Sequence, residues 1–308
     1  MSVAVVDPEG RTVARTGDPE LITFLRSAAK PFQAMSLVTD GVTLSTEELA
    51  LACASHNSEP DHVTRVSRWL TRIGCRESDL ACGPHRPLWR DLALPAEGKG
   101  LEDGARSAVS SNCSGKHTGM LALARHHGWP TAGYERAEHP VQQRCLGEMA
   151  RWAGVGRGDV GVAVDGCGVT CFALPLSRMA RAFARLASAD DPVARRVAGA
   201  MMAHPDLVAG RGRLCTAAMR AYPGRMVAKV GAEGVYGAAL PVRGLGLALK
   251  VEDGHYWATV VALVAVLDRL GLDPRPSELL AAYAELPARN TRGAVVGTLA
   301  AAGDLTFV

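Results

Sequence analysis

"RMVAKVGAEGVYGAALPVRGLGLALKVEDG", residues 225–254, decides the fold. Its runs of small and β-branched residues, broken by short glycine-bearing turns, read as consecutive strands that fold back on one another. The N-terminus repeats the pattern, with "SVAVVD" and "RTVAR" flanking the turn "PEG" as an edge hairpin. "VGVAVDGCGVTCFALPL", residues 160–176, reads as a strand, a glycine-rich turn and a second strand, and "RNTRGAVVGTLAA", residues 289–301, as a final edge strand. Helix signals fill the space between. They begin after Ser27, run from Thr46 to Cys53 behind the capping-type "STEE", and run again from Pro60 to Ile73. "GKHTGMLALARHHG" and "HPVQQRCLGEMARWAG" each read as a helix stopped by glycine. Further helical stretches cover Ser177 to Ala203 and His255 to Leu270, whereas Gly74 to Gly115 is irregular and reads as loops around a site.

The strand-helix alternation of a doubly wound parallel fold is absent. The expectation is therefore an α/β protein of the α+β type, with an antiparallel or mixed sheet, flanking helices and an inserted helical lobe. No Pro/Gly/Ser-rich linker or internal repeat divides the 308 residues, so one domain of two lobes, 1–308, is expected.

Composition narrows the function classes. The chain is 48% hydrophobic and 21% charged, with a net charge of +3 and basic residues scattered rather than gathered into a patch. Nucleic acid and anionic membrane are poor partners for such a surface. "MSVAVVDPEG" lacks the basic and apolar regions of a secretory signal, and the longest apolar run, Tyr256 to Leu267, is too short to span a bilayer. A cytoplasmic location follows as an expectation, and there the eight cysteines are thiols rather than a disulfide framework.

Lysine is scarce: there are 5 against 29 arginines, and 15 serines. Ser27 and Lys30 stand about one helical turn apart, so hydroxyl and amine share a face. A serine needs such a neighbouring base, although an S-x-x-K match arises by chance in about one such chain in four. The positions of other lysines strengthen it. Lys116 lies in "NCSGKHTGM" and Lys229 in "AKVGAEG", both beside glycines, while Lys99 and Lys250 read as solvated surface charge. Lysine loses its proton when desolvated and arginine does not. An early Ser-x-x-Lys followed by a late Lys-x-Gly strand is the arrangement of serine β-lactamases and penicillin-binding proteins. There, two lysines beside one nucleophile depress each other's pKa.

Asn112, Cys113, Ser114, Lys116 and His117, with Asp165 and Cys167, form a second constellation. Two sulfurs and nitrogen donors suit an incomplete zinc shell. Packed structural cysteines, or a Cys113 nucleophile at a helix N-terminus, are the competing readings. In "CASHNSEPDHV", neighbouring residues point different ways, which disfavours a Ser-His-Glu triad. Ser55 is read instead as a hydroxyl shared with a lysine, and Ser58 as an N-cap.

Taken in order, "RSAAKPFQA", "ACASHNSE", "NCSGKHTGML", "HPVQQ", "VDGCGVTCFALPL", "KVGAEGVYGAAL" and "RNTRGAVVG" resemble the L-asparaginase II family, the class 3 or Rhizobium etli-type inducible asparaginases. The resemblance implies a serine β-lactamase/glutaminase-like fold and a cytoplasmic homodimer that hydrolyses L-asparagine to L-aspartate and ammonia. It implies two Ser-Lys pairs, Ser27 with Lys30 and Ser55 with Lys229, with Ser27 the leading nucleophile and Ser55 the alternative. It further implies zinc on Cys113, Lys116 and Cys167, auxiliary to the nucleophile, with Asp165, His56 and Gly231 around the substrate. Backbone N–H groups near Gly115 or Gly231 are expected oxyanion donors. Family chains usually begin with a segment of the type RGxxxESxHxG ahead of the strand that opens here as "SVAVVD", and the expectation is that this edge strand is missing. A glutaminase or other amidohydrolase, and an impaired zinc- or amino-acid-binding homologue, are the alternatives.

Overall fold

A computed structural model describes residues 1–88, 92–94, 106–275 and 277–308. Its frame is a six-stranded sheet in the order β11-β2-β1-β8-β7-β6: Thr306–Phe307, Thr12–Thr16, Ser2–Val6, Leu245–Lys250, Val235–Leu240 and Val227–Val230. Every ladder in it is antiparallel. The stretch 225–254 supplies three adjacent strands, each returning through a short turn, as its glycines and alternation require. A three-stranded sheet joins β3 (Ile22–Phe24), β5 (Thr170–Pro175) and β4 (Gly161–Val164), again antiparallel.

Two strand expectations need correction. The N-terminal hairpin is not an edge: β1 lies between β2 and β8 and is buried along its whole length. Its unbroken "SVAVV" has no polar face to offer water beyond a buried serine. Residues 289–301 do not form the sheet's final strand either. β10 (Val295–Ala300) pairs only with β9 (Glu285–Arg289) in a separate exposed hairpin, and the sheet's outermost strand is β11.

The helix Leu176–Leu186 packs so closely on the sheet that side chains are excluded beneath it. A Cβ at Gly246 would sit 2.0 Å from the Ala180 carbonyl oxygen, and one at Gly237 would sit 2.0 Å from the Phe183 ring. Helices Lys30–Thr39, Thr46–Ala52, Ser114–His127, Pro140–Ala153 and Pro192–Ala203 pack together as a second layer. Local chemistry sets their ends. Ser45 and Glu48 form a reciprocal capping box, worth about 1 kcal/mol, and Gly128 and Gly154 close their helices in the left-handed conformation. Ser58 is not the cap of Pro60–Arg72. Glu59 is, while Ser58 takes a positive φ of 64° and donates to the Ser110 carbonyl. His127, at a helix C-terminus, bonds Asp40 and stacks on Trp129, a structural role.

These packings bring at least five chain segments to one place. They are the 3-10 turn Arg26–Ala29 that leads into Lys30–Thr39, the end of Thr46–Ala52, the start of Ser114–His127, the β4–β5 turn and the β6–β7 turn.

Candidate active site

A cavity of about 360 Å³ opens between these segments, and Ser27, Ser55, Cys113, Asp165, Cys167 and Gly231 all line it. Lys30, Lys116 and Lys229 stand behind the wall, each at most 3% exposed. Residues 160–176 place Asp165 and Cys167 here because the β4–β5 turn reverses between them, Gly168 taking a φ of 88°. Lys99 and parts of the 74–115 stretch lie outside the described residues. Cys82, His85, Leu88 and Leu92 from that stretch do line the cavity.

Both inner lysines converge on one serine. Lys30 Nζ and Lys229 Nζ each lie 2.9 Å from Ser55 Oγ. Lys30 also donates to the carbonyls of Ala54 (2.5 Å) and Asn112 (3.5 Å), and Lys229 to that of Val230 (2.8 Å). Ser27 shares the cavity, but the described contacts of Lys30 Nζ go to Ser55 rather than to Ser27. The Lys30 amine is drawn instead to the end of the second helix, where Ser55 Oγ and the Ala54 carbonyl hold it. Burial, aided by the positive charge of Lys30, pushes the Lys229 amine down to about 7. An amine that is about half unprotonated at neutral pH therefore sits on the Ser55 hydroxyl.

The sulfur cluster is equally enclosed. Lys116 Nζ lies 2.9 Å from Cys167 Sγ, which in turn lies 3.7 Å from Asp165 Oδ2. A hydrogen bond from Cys167 outweighs burial and, with the charges of Lys30 and Lys116, holds the Cys113 thiol well below its usual range. Cys167 is displaced upward, first by that same bond and then by burial. Burial alone would neutralise Lys116; Cys167, Cys113 and Asp165 reverse this and raise it. Among the described residues no three His, Cys, Asp or Glu side chains gather as a metal site. Lys116 is the nitrogen donor nearest the two sulfurs, 2.9 Å from Cys167 Sγ. Two sulfurs and one amine make an N/S donor set of the kind zinc accepts, and it leaves a coordination position free.

Gly231 is a glycine for steric reasons, since a Cβ there would lie 2.6 Å from the Leu25 carbonyl. Its N–H is not the expected oxyanion donor, because it is spent on Val235 O at 2.8 Å. Gly115 does not line the cavity and presses against the Leu51 carbonyl. His56 is fully buried one layer behind Ser55, its Nδ1 accepting from the Ser58 N–H and its other ring nitrogen 3.0 Å from Ser114 Oγ. Burial first, then the neighbouring charges of His62 and Lys30, pushes its pKa well down and keeps the ring neutral.

Three residues at the cavity carry no motif. Arg26 bridges Asp165 (2.8 Å) and Glu233 (2.6 Å), and both Arg26 and Glu233 occupy the left-handed region, at φ 49° and 59°. Strained backbone of this kind collects at functional sites. The third, Arg213, follows Gly210-Arg211-Gly212, and nothing in that stretch sets it apart from the other arginines of the chain.

Residues 1–301 match the family model described as L-asparaginase II. No curated protein matches the chain in sequence. Among solved structures, Mglu in its native form is similar at 17% identity and a TM-score of 0.47, over 88% of this chain and 61% of that one. The present chain thus spans about three fifths of that protein's length. A β-lactamase from Mycobacterium bovis shows 16% identity and a TM-score of 0.36, over 87% of this chain and 93% of its own. An octameric penicillin-binding protein homologue from Pyrococcus abyssi shows 14% identity and a TM-score of 0.33, over 90% and 74%.

Proposed function

We propose that this chain, which belongs to the L-asparaginase II family, hydrolyses the side-chain amide of L-asparagine to L-aspartate and ammonia through a lysine-activated serine. The observation that carries the reading is the convergence of Lys30 and Lys229 on Ser55 Oγ, both at 2.9 Å, in the wall of the cavity. Neutral Lys229 takes the Ser55 proton as the oxygen attacks the amide carbon, while Lys30 donates to that oxygen and orients it. Lys229 then returns the proton to the leaving nitrogen, ammonia departs, and a serine ester remains. Water, deprotonated by Lys229, cleaves the ester to L-aspartate and restores the Ser55 hydroxyl. A second reading has Ser27 attack and Ser55 relay its proton to Lys229. Its support is that Ser27 is the more exposed of the two, Ser55 being only 3% accessible.

Zinc would be held by Cys113, Cys167 and Lys116, with Lys116 deprotonated on binding. When bound it would supply Lewis-acid polarisation of a substrate group at its open position. Around it, Asp165 holds Arg26 in place, and Arg26 with Glu233 fixes the rim of the cavity beside Ser27. The same reading makes the protein a single domain over 1–308, cytoplasmic and homodimeric. All eight cysteines are free thiols, as a reducing compartment maintains them. Ile22 and Phe24 expose apolar side chains on one face of the small sheet, at its edge strand β3, a patch suited to a second copy. No helix among the described residues is long and apolar enough to cross a membrane.

The test is ammonia release by the purified 308-residue chain from L-asparagine and from L-glutamine, with and without added zinc. Turnover of asparagine in preference to glutamine is expected. Preference for glutamine would transfer the reading to a glutaminase, and release from neither in any metal state would overturn it.

A further inference from the structure

Arg213 is 1% exposed, yet it forms part of the cavity wall. Its Nη1 donates to the carbonyl of Ser55 (3.3 Å) and to Asn57 Oδ1 (2.9 Å). Its Nε and Nη2 have no hydrogen-bond partner among the described residues. A buried guanidinium without a counter-charge is costly, because the desolvation of an ion is repaid only by pairing. The donors of the other cations of the site are engaged. Arg26 is spent on Asp165 and Glu233, Lys116 faces sulfur, and Lys30 and Lys229 are bonded to Ser55 and backbone carbonyls.

Nε–H and Nη2–H lie along one edge of a guanidinium, the edge that accepts the two oxygens of a carboxylate side by side. That edge has no hydrogen-bond partner among the described residues, with the Tyr256 phenol beside the guanidinium, while Nη1 is tethered to the carbonyl of Ser55 itself. An anion held on it is therefore fixed at short range from the reacting serine. We propose that Arg213 is the substrate's carboxylate anchor, so that the enzyme acts on short ω-amides that carry a free α-carboxylate and rejects amides that lack one. This rests on the amidohydrolase reading above and adds to it a requirement for one chemical group. The anchor also explains how the orphaned donors are tolerated: substrate completes their hydrogen bonds, which makes the interaction worth more than one formed in water.

The experiment compares kcat/KM for L-asparagine with that for L-asparagine α-amide, whose carboxylate is a neutral carboxamide, in the wild-type chain, Arg213→Lys and Arg213→Met. The wild type is expected to favour asparagine by roughly 100-fold or more, since a buried polar group left unpaired discriminates strongly. In Arg213→Met the preference collapses to within about tenfold, and Arg213→Lys, which keeps charge but not the two-pronged edge, falls between. The ratio is taken within one preparation, so a lower folded fraction does not alter it. Equal rates on both amides by the wild type, or an unchanged ratio in Arg213→Met, would overturn the anchor.

A second readout needs neither turnover nor a variant. Calorimetric binding of L-aspartate to the wild type is expected to be roughly 10- to 100-fold tighter than binding of its diamide, the range for a charge-assisted pair. If the wild type hydrolyses nothing yet shows this preference, the amidohydrolase reading fails and the anchor stands. Equal affinity for both, or no binding of aspartate, sinks the anchor whatever the enzyme turns over.

Discussion

Lys229→Met removes an amine whose placement favours chemistry at the expense of stability. A shift of this lysine from 10.5 to about 7 costs its charged form about 5 kcal/mol in the folded protein, at 1.36 kcal/mol per pH unit. At neutral pH about half of Lys229 is then unprotonated, against on the order of 1 in 3,000 for an ordinary lysine. Two consequences follow from the one number. Wild-type kcat/KM for asparagine should rise about tenfold per pH unit below a midpoint at about 7 and level off above it. The methionine variant should lose that limb together with roughly 100- to 10,000-fold of the rate, the usual contribution of a general base.

Stability moves the other way. Between pH 7 and 10.5 the unfolded chain holds the Lys229 proton more tightly than the folded one, so wild-type stability rises with pH across that window. Below it the full penalty is present. Measured by urea unfolding, Lys229→Met should therefore gain about 4 kcal/mol more relative to wild type at pH 6 than at pH 10. A stability difference that does not change with pH, or a rate midpoint near that of an ordinary lysine, would refute the claim that a neutral buried amine sits on Ser55.

Ser55→Ala should reduce asparagine turnover by at least about 100-fold, and mass spectrometry of the quenched enzyme should find the acyl group on the peptide that contains Ser55. Ser27→Ala should leave that adduct in place; an adduct on Ser27 would instead establish the relay in which Ser55 passes the proton. Gly246→Ala places a methyl 2.0 Å from the Ala180 carbonyl and 2.1 Å from Ala184 N, where only backbone can move. Its expected cost is about 3 kcal/mol in thermal or urea unfolding, with KM unchanged in whatever fraction folds, and a cost under about 0.5 kcal/mol would contradict the packing described.

Much of this was legible along the chain because its causes are local. The strands of 225–254, the box at Ser45 and Glu48, and the glycine stops at 128 and 154 are each set by a few consecutive residues whose backbone preferences agree. Lys30 could be singled out by its spacing from Ser27, and Lys116 and Lys229 because scarce lysines beside glycines are unusual in a chain rich in arginine. Partnership was a different matter. That Lys30 meets Ser55 rather than the serine three residues before it depends on how the first helix packs against the end of the second. Spacing within one segment carries no information about that contact.

The same holds for the sheet's outermost strand. A two-residue segment at 306–307 pairs with β2, while the longer strand at 295–300 is left on an outlying hairpin, and alternation alone ranks them the other way round. Arg213 marks the limit most clearly. In the sequence it is one arginine of 29, and what distinguishes it is that folding buries it beside Ser55 with no carboxylate paired to it among the described residues. Local preferences thus determined the elements and the chemistry they carry. Only tertiary packing, by choosing what each charge would face once water was excluded, decided which serine the lysines address and which cation is left open.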